Sequence, residues 1–123
     1  MLLTIQRSQY VSAPGRICFP GGGIEPGESE LETLMREMYE ELGVAIKPRR
    51  RLWRSTTRWG VDLVWWHVDV VQDTLYPNPT EIHDVHWLTI AQLRAEPRVL
   101  ESNLLFLDAW QRGEFVLEGL SET

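Results

Sequence analysis

The chain has little cysteine and no long apolar run, and each scarcity excludes a class of protein. Cys18 is the only cysteine among 123 residues, so no internal disulfide forms and a thiolate zinc site is not expected. The most apolar later stretch, Val61 to Val71, is interrupted by charged and polar residues, and Met1 to Ser8 has no long apolar segment behind a basic one. We therefore predict neither a membrane span nor a signal peptide, and a reducing cytoplasm fits best.

An excess of basic residues is also lacking. The 18 acidic and 12 basic side chains give a net charge of −6, so bulk electrostatics provides no attraction for nucleic-acid backbones or anionic lipid. We expect neither a stable nucleic-acid partner nor a membrane partner, and handling phosphates would require local cations. With 43% hydrophobic residues, the chain fits one domain over residues 1–123 with a core of its own.

Hydrophobic periodicity and turn residues predict a mixed α/β sandwich. Strands are predicted at Leu2 to Arg7, Arg16 to Phe19, Arg51 to Thr57, Val61 to Val71 and Val85 to Leu88, with Trp59-Gly60 as a hairpin turn. Helices are predicted from Ser29 to Gly43, from Thr89 to about Ala95, and from Ser102 to Gln111, the last closed by Gly113.

The first of these helices has the clearest signals in the sequence. Ser29 and Glu32 form a capping box, and Gly43 supplies the C-terminal stop. Its apolar stripe consists of Leu31, Leu34, Met35, Met38 and Leu42.

The face opposite this stripe carries an acidic cluster. Spacings of three and four place Glu37, Glu40 and Glu41 beside one another, and within one helical turn only Glu40 reaches a cation, Arg36. Like charges repel, and the carboxylates lie in the C-terminal half of the helix, where the macrodipole disfavours them. A bound Mg²⁺ would make both the close spacing of the carboxylates and their place near the helix C-terminus favourable. A merely solvated acidic face is the alternative interpretation.

Together these residues match the Nudix signature G-x5-E-x7-R-E-U-x-E-E-x-G-U, in which U is a bulky aliphatic residue, and the chain resembles that family. The matching positions are Gly22, Glu28, Arg36, Glu37, Met38, Glu40, Glu41, Gly43 and Val44. The resemblance implies an α/β/α Nudix fold with a mixed sheet between helices. It also implies a hydrolase that uses Mg²⁺, with Mn²⁺ as a substitute, to cleave a nucleoside diphosphate derivative.

The resemblance further implies roles for individual residues. Glu37, Glu40 and Glu41 are the expected metal ligands, and Arg36, paired with Glu28 or Glu40, orients them. Family members differ in which glutamate is the general base, so Glu40, Glu41 and Glu81 stay candidates.

Glu81 precedes a predicted strand, in a loop where many relatives carry a glutamate that binds metal or activates water. A solvated loop acid is the equal alternative. Gly21 and Gly22 permit close approach of a substrate, and Arg16 and Arg58 are candidates for phosphate contact, with solvated surface as the default for both.

The substrate class stays open. Leu2-Leu-Thr4, Arg7-Ser8 and the segment from Gly15 to Gly22 are partly similar to the upstream motif of coenzyme A diphosphatases, whereas Ser102-Asn103 is loosely similar to a base-reading site in MutT-type enzymes. A non-catalytic Nudix-fold module that binds a nucleotide is the alternative function.

Family members usually begin with a strand before the segment equivalent to Leu2 to Arg7. Two alternatives follow from this difference. Either the true start lies upstream, or the sheet lacks the usual first strand and leaves an edge that a second copy would cover in a homodimer.

Overall fold

Five strands and three helices make up the part of the chain that the computed structural model describes, residues 1–117. Residues 118–123, the end of the predicted single domain, lie outside the described residues. The elements are β1 (Leu2–Arg7), β2 (Ile17–Cys18), α1 (Glu30–Leu42), β3 (Ile46–Thr56), β4 (Asp62–Val70), β5 (Ile82–Leu88), α2 (Ile90–Ala95) and α3 (Glu101–Gln111).

The strands form two sheets among the described residues. One has the order β2-β1-β5 and the other pairs β3 with β4. All of these pairings are antiparallel, and an isolated parallel bridge joins Ile17 to Val99. In the three-stranded sheet Ile5 of β1 lies opposite Cys18 on one side and Val85 on the other. β1 is therefore central, not an edge strand.

Helices pack on both faces of this sheet. Ile17 belongs to a buried cluster with Leu93 of α2 and Phe106 of α3. Its neighbour Cys18 belongs to a second cluster, with Met38 of α1. Successive strand residues point to opposite faces, so α1 covers one face of the sheet and α2 with α3 cover the other.

Several strand boundaries differ from the prediction. β3 begins at Ile46 rather than Arg51, because Ile46 pairs with Val70 at the end of β4. The basic side chains from Lys47 to Arg51 are exposed on this strand. β5 begins at Ile82 rather than Val85, and β2 contains only Ile17–Cys18. The hairpin turn is confirmed, since Gly60 has a φ of 78° and its N–H donates to Thr57 O at 2.9 Å.

α1 begins and ends as predicted, with both hydrogen bonds of the Ser29–Glu32 capping box present and Gly43 in the left-handed region. Its apolar stripe is only partly buried. Met38 and Leu42 lie in the core, whereas Leu31 is 38% and Met35 49% exposed, because the core beneath α1 lies under its C-terminal half. Among the described residues, no helix has both the length and the hydropathy that crossing a bilayer requires.

Candidate metal and catalytic site

A cleft of about 230 Å³ brings together carboxylates from α1 and from the loop before β5. Its lining residues come from β1, the loop after it, the glycine loop, α1 and the β5 loop, and they are Ile5, Arg7, Val11, Gly21, Gly22, Glu37, Glu41 and Glu81. Glu81, which the sequence left ambiguous between a site residue and a solvated acid, thus shares this cleft with two signature glutamates.

Glu41 is the most buried carboxylate of the cleft, at 5% exposure. The backbone N–H of Gly21 donates to its Oε2 at 3.2 Å. Burial raises the pKa of Glu41 to about 8, and the charges of Glu37 and Glu81 act in the same direction, whereas the Gly21 bond and the charge of Arg7 act against it. The cation that Glu41 lacks on its own helix therefore comes from β1.

Glu37 lies directly against the glycine loop. A Cβ atom at Gly22 would come within 2.3–2.5 Å of its carboxylate atoms, so the absence of a side chain at Gly22 makes room for this group. Arg36 Nη1 donates to Glu37 Oε1 at 2.8 Å. Burial nevertheless raises the pKa of Glu37, with Glu40 and Glu81 adding to the shift.

Glu81 is held by the backbone of its loop. Ser8 N–H donates to Glu81 O at 3.0 Å, and Ser8 Oγ donates to Thr80 O at 2.6 Å. The N–H of Asn78 in the same loop donates to Glu41 O at 2.8 Å. Glu81 Oε2 is buried and finds no hydrogen-bond partner among the described residues. A buried carboxylate oxygen without a partner is costly unless a cation or water meets it.

Arg36 joins the loop before α1 to the helix. Its Nε and Nη2 donate to the two Glu28 oxygens at 2.6 and 2.9 Å, and Nη2 also donates to Gly23 O at 3.1 Å. The Arg36 bond holds the pKa of Glu28 at about 2, helped by backbone bonding at Glu25. This network ties the glycine loop to the carboxylate helix.

Some predicted site residues lie outside the cleft lining. Glu40 has a side chain 47% exposed, and it accepts from Arg36 Nη1 at 3.1 Å. Arg16 donates to Val99 O at 3.5 Å. Arg58, in the β3–β4 hairpin, donates to both oxygens of Glu101 at 2.5 and 2.6 Å.

The sequence reasoning missed Arg7 as a site residue. Among the described residues that line the cleft, Arg7 alone is basic. The available signal was its position at the end of the first strand within the partly matched upstream motif.

The donor chemistry of the cleft suits a hard divalent cation. All three acidic side chains offer oxygen, and the free Glu81 Oε2 offers an uncommitted one. Within residues 1–117, no group of three or more His, Cys, Asp or Glu side chains is arranged so that it could hold a metal ion by itself. Mg²⁺ does not need three protein ligands, since it binds through one or two carboxylates plus waters and substrate oxygens.

A family model described as NUDIX domain matches residues 1–109 of this chain. The chain is 33% identical over 88 residues to the NAD-capped RNA hydrolase NudC of Stutzerimonas stutzeri, which covers 69% of this chain and 31% of that protein. It is 48% identical over 44 residues to Nudix hydrolase 3 of Caenorhabditis elegans, covering 36% of this chain and 18% of that protein. The chain thus spans less than a third of the length of these curated relatives.

Solved structures show the same fold. The E. coli ORF135 protein has a TM-score of 0.73 at 26% identity, over 89% of this chain and 79% of that chain. The MutT protein from Methanosarcina mazei Go1 has a TM-score of 0.75 at 20% identity, over 90% of this chain and 83% of that chain. The α/β fold predicted from the sequence is confirmed.

Proposed function

This chain belongs to the NUDIX domain family, and we propose that it is a Mg²⁺-dependent hydrolase that cleaves the diphosphate bond of a nucleoside diphosphate derivative. The observation that carries the proposal is the convergence of Glu37, Glu41 and Glu81 in one cleft beside the glycine loop. Three carboxylates around a small cleft repel one another, and a divalent cation with a phosphate ligand offsets that repulsion.

Glu37 and Glu41 are the proposed metal ligands, with Glu81 beside them, and Mn²⁺ would substitute for Mg²⁺. When bound, the metal neutralises phosphate charge and lowers the pKa of water. Glu40 lies outside the cleft lining and accepts from Arg36 through one oxygen, so it would take part only if its side chain turned toward the cleft. Arg36 is a positioning residue that holds the glycine loop and Glu37 in place.

The chemistry is attack of water on one phosphorus of the diphosphate, with a P–O bond forming as the bridging P–O bond breaks. The uncommitted oxygen of Glu81 suits it to accept the proton that the water loses. Arg7, at the wall of the cleft, suits a phosphate oxygen, because its planar guanidinium carries several N–H donors. Gly21 and Gly22 let the substrate approach the backbone closely.

The names of the relatives restrict the substrate to a broad class. An NAD-capped RNA hydrolase, RNA pyrophosphohydrolases and a coenzyme A diphosphatase are all similar to parts of this chain. Their substrates share a diphosphate attached to a nucleoside or to a nucleotide-derived group. We therefore propose that shared class, and the experiment is designed to identify the member.

The test incubates wild type, Glu41→Gln and Glu32→Gln with Mg²⁺ and a pool of candidate substrates, followed by mass spectrometry. The pool contains nucleoside triphosphates, oxidised nucleotides, ADP-ribose, dinucleoside polyphosphates, NAD and coenzyme A. Glu32→Gln is the matched control, because it removes a charge from the same helix while the amide keeps an oxygen for the capping box.

Cleavage by wild type and the control, with turnover lower by about a hundredfold or more in Glu41→Gln, is the expected result. Equal turnover in Glu41→Gln would overturn the assignment of Glu41. Nucleotide binding without cleavage by folded, Mg²⁺-loaded wild type would establish the non-catalytic binding module instead.

A further inference from the structure

A second, larger cleft of about 580 Å³ adjoins the carboxylate cleft across Arg7, which lines both. Its volume lies within the range of small-molecule sites. Besides Arg7, the lining residues that characterise it are Gln9, Tyr10, Pro14, Pro79, Ile82 and His83.

We propose that this second cleft binds the nucleoside of the substrate, with Arg7 at the boundary between nucleoside and phosphate. The inference rests on the proposed function, because it takes the diphosphate to lie in the carboxylate cleft. It adds the place where the rest of the substrate is recognised.

The lining chemistry supports a neutral, flat ligand rather than a second phosphate. Among the described residues that line the cleft, Arg7 alone is a lysine or arginine and none is a carboxylate. The other side chains present amides, rings and an aliphatic surface. A nucleobase has matching features, since it carries hydrogen-bonding edges and two apolar faces.

Tyr10 is the residue best placed to stack on such a face. Its side chain is 71% exposed although it lines a cleft. Its backbone is held in place, because Tyr10 N–H donates to Ser8 Oγ at 3.2 Å and Ser8 is buried. The same Ser8 hydroxyl donates to Thr80 O, one residue from Glu81. One buried hydroxyl therefore joins the backbone of Tyr10 to the loop that carries Glu81.

The loop that carries Tyr10 is held by several bonds. Arg7 Nε donates to Ser12 O at 2.6 Å, and Gly15 N–H donates back to Arg7 O at 2.9 Å. Ala13 has a φ of 50°, a sparsely populated value for a residue with a side chain, which the surrounding bonds must hold in place. A loop fixed in this way keeps its cleft open without ligand.

The test measures binding of AMP, GMP, CMP and UMP by calorimetry, each with and without Mg²⁺, against ribose 5-phosphate. These ligands contain no diphosphate bond, so binding is read without turnover. Both kinds of ligand contain the same sugar phosphate. The ratio of the affinity for a nucleotide to the affinity for ribose 5-phosphate therefore measures the contribution of the base alone. Tyr10→Ala is compared with Tyr39→Ala, a tyrosine with the same 71% exposure on the outer face of α1.

Wild type and Tyr39→Ala should bind at least one nucleotide more tightly than ribose 5-phosphate, and Tyr10→Ala should lose about tenfold of that preference, as expected for one stacked base. With the cleaved substrate, Tyr10→Ala should raise KM rather than lower kcat. Equal affinity for nucleotide and ribose 5-phosphate, no binding of either, or an unchanged preference in Tyr10→Ala would overturn the nucleoside site.

The two proposals fail separately. If Glu41→Gln loses turnover while Tyr10→Ala keeps the wild-type base preference, the hydrolase stands and the nucleoside lies elsewhere. If no pool member is cleaved but the base preference depends on Tyr10, the cleft is a nucleoside site on a protein that does not hydrolyse.

Discussion

At the scale of single residues, the contact between Gly22 and Glu37 links the glycine loop to the carboxylates. The Glu37 carboxylate occupies the space that a methyl group at Gly22 would need. Because the obstructing atoms are the far end of a flexible side chain, the fold can adapt by moving that carboxylate. A methyl group at Gly22 would therefore disturb the geometry of the site more than the free energy of unfolding.

Gly22→Ala should therefore lower turnover by at least about tenfold, since displacements near 1 Å at a reacting site have effects of this size or larger. The control is Gly23→Ala, where an added Cβ meets no atom within 4 Å. Both variants should unfold in urea with midpoints near that of wild type. Wild-type turnover in Gly22→Ala would show that the Glu37 position is not needed.

A second residue-scale prediction concerns pH. The pKa of Glu28 is lowered to about 2, mainly by its hydrogen bond from Arg36, whereas an unfolded glutamate titrates near 4.3. The ionised form is therefore favoured in the folded state, and this stabilisation is fully present above the unfolded pKa. It is lost as pH falls from about 5 to about 2.

Glu28→Gln should accordingly be less stable than wild type at pH 6, and the gap in urea midpoint should narrow as the pH is lowered to 3. The measurement is a series of urea titrations at each pH for both proteins. A gap that is independent of pH would mean that the Glu28 carboxylate charge does not stabilise the fold.

The signature residues could be predicted at this scale because they are close in sequence, but their separation into two sets could not. Glu40 and Glu41 are neighbours on one helix, yet Glu41 is buried in the cleft and Glu40 is outside its lining. Which of the two faces the cleft depends on the rotation of α1 about its own axis as it packs on β1. Arg7 could not be predicted as a site residue for the same reason, since its position near Glu41 depends on tertiary packing.

At the scale of elements, the ends of α1 were predictable because capping is local chemistry. Ser29 and Glu32 bond reciprocally, and Gly43 has a φ of 63°. Gly43 also meets a long-range neighbour, because a Cβ there would lie 2.9 Å from Tyr76 Cβ. The helix end therefore has both a conformational and a packing reason for glycine.

Gly43→Ala should destabilise the fold by more than the roughly 1 kcal/mol typical of a left-handed residue with a side chain. Gly113→Ala is the matched control, with a φ of 82° and no atom within 4 Å of the added Cβ. Urea denaturation of both variants measures the difference. Equal destabilisation would show that the Tyr76 contact relaxes without cost.

The β3 boundary shows what local signals could not predict. Lys47 to Arg51 is a charged run with a proline at Pro48, a pattern that disfavours a buried strand. It pairs with β4 nonetheless, with a register shift between Pro48 and Arg50. A strand with a bulge tolerates a proline and exposed charged side chains when its partner strand provides the other backbone hydrogen bonds. That partner lies on the other side of a hairpin, beyond the reach of a local pattern.

At the scale of the whole molecule, the cleft is lined by elements that lie far apart in the sequence. β1 supplies Arg7, α1 supplies Glu37 and Glu41, and the loop before β5 supplies Glu81. Backbone bonds from Ser8 and Asn78 join these parts. Because the unfolded chain does not bring the carboxylates together, a cation bound in the cleft should stabilise only the native state.

Mg²⁺ should therefore raise the unfolding temperature of wild type. At a free concentration of about 100 times its Kd the stabilisation is about 2.7 kcal/mol, which for a domain of this size corresponds to roughly 10 °C. Scanning calorimetry in EDTA and at increasing Mg²⁺ should show that shift in wild type and in Glu32→Gln, and a smaller one in Glu41→Gln. Since each variant is compared with itself in EDTA, any effect of the substitution on the metal-free fold cancels. An equal shift in all three proteins would place the bound Mg²⁺ outside the carboxylate cleft, and no shift in any of them would remove the physical basis for a metal-dependent hydrolase.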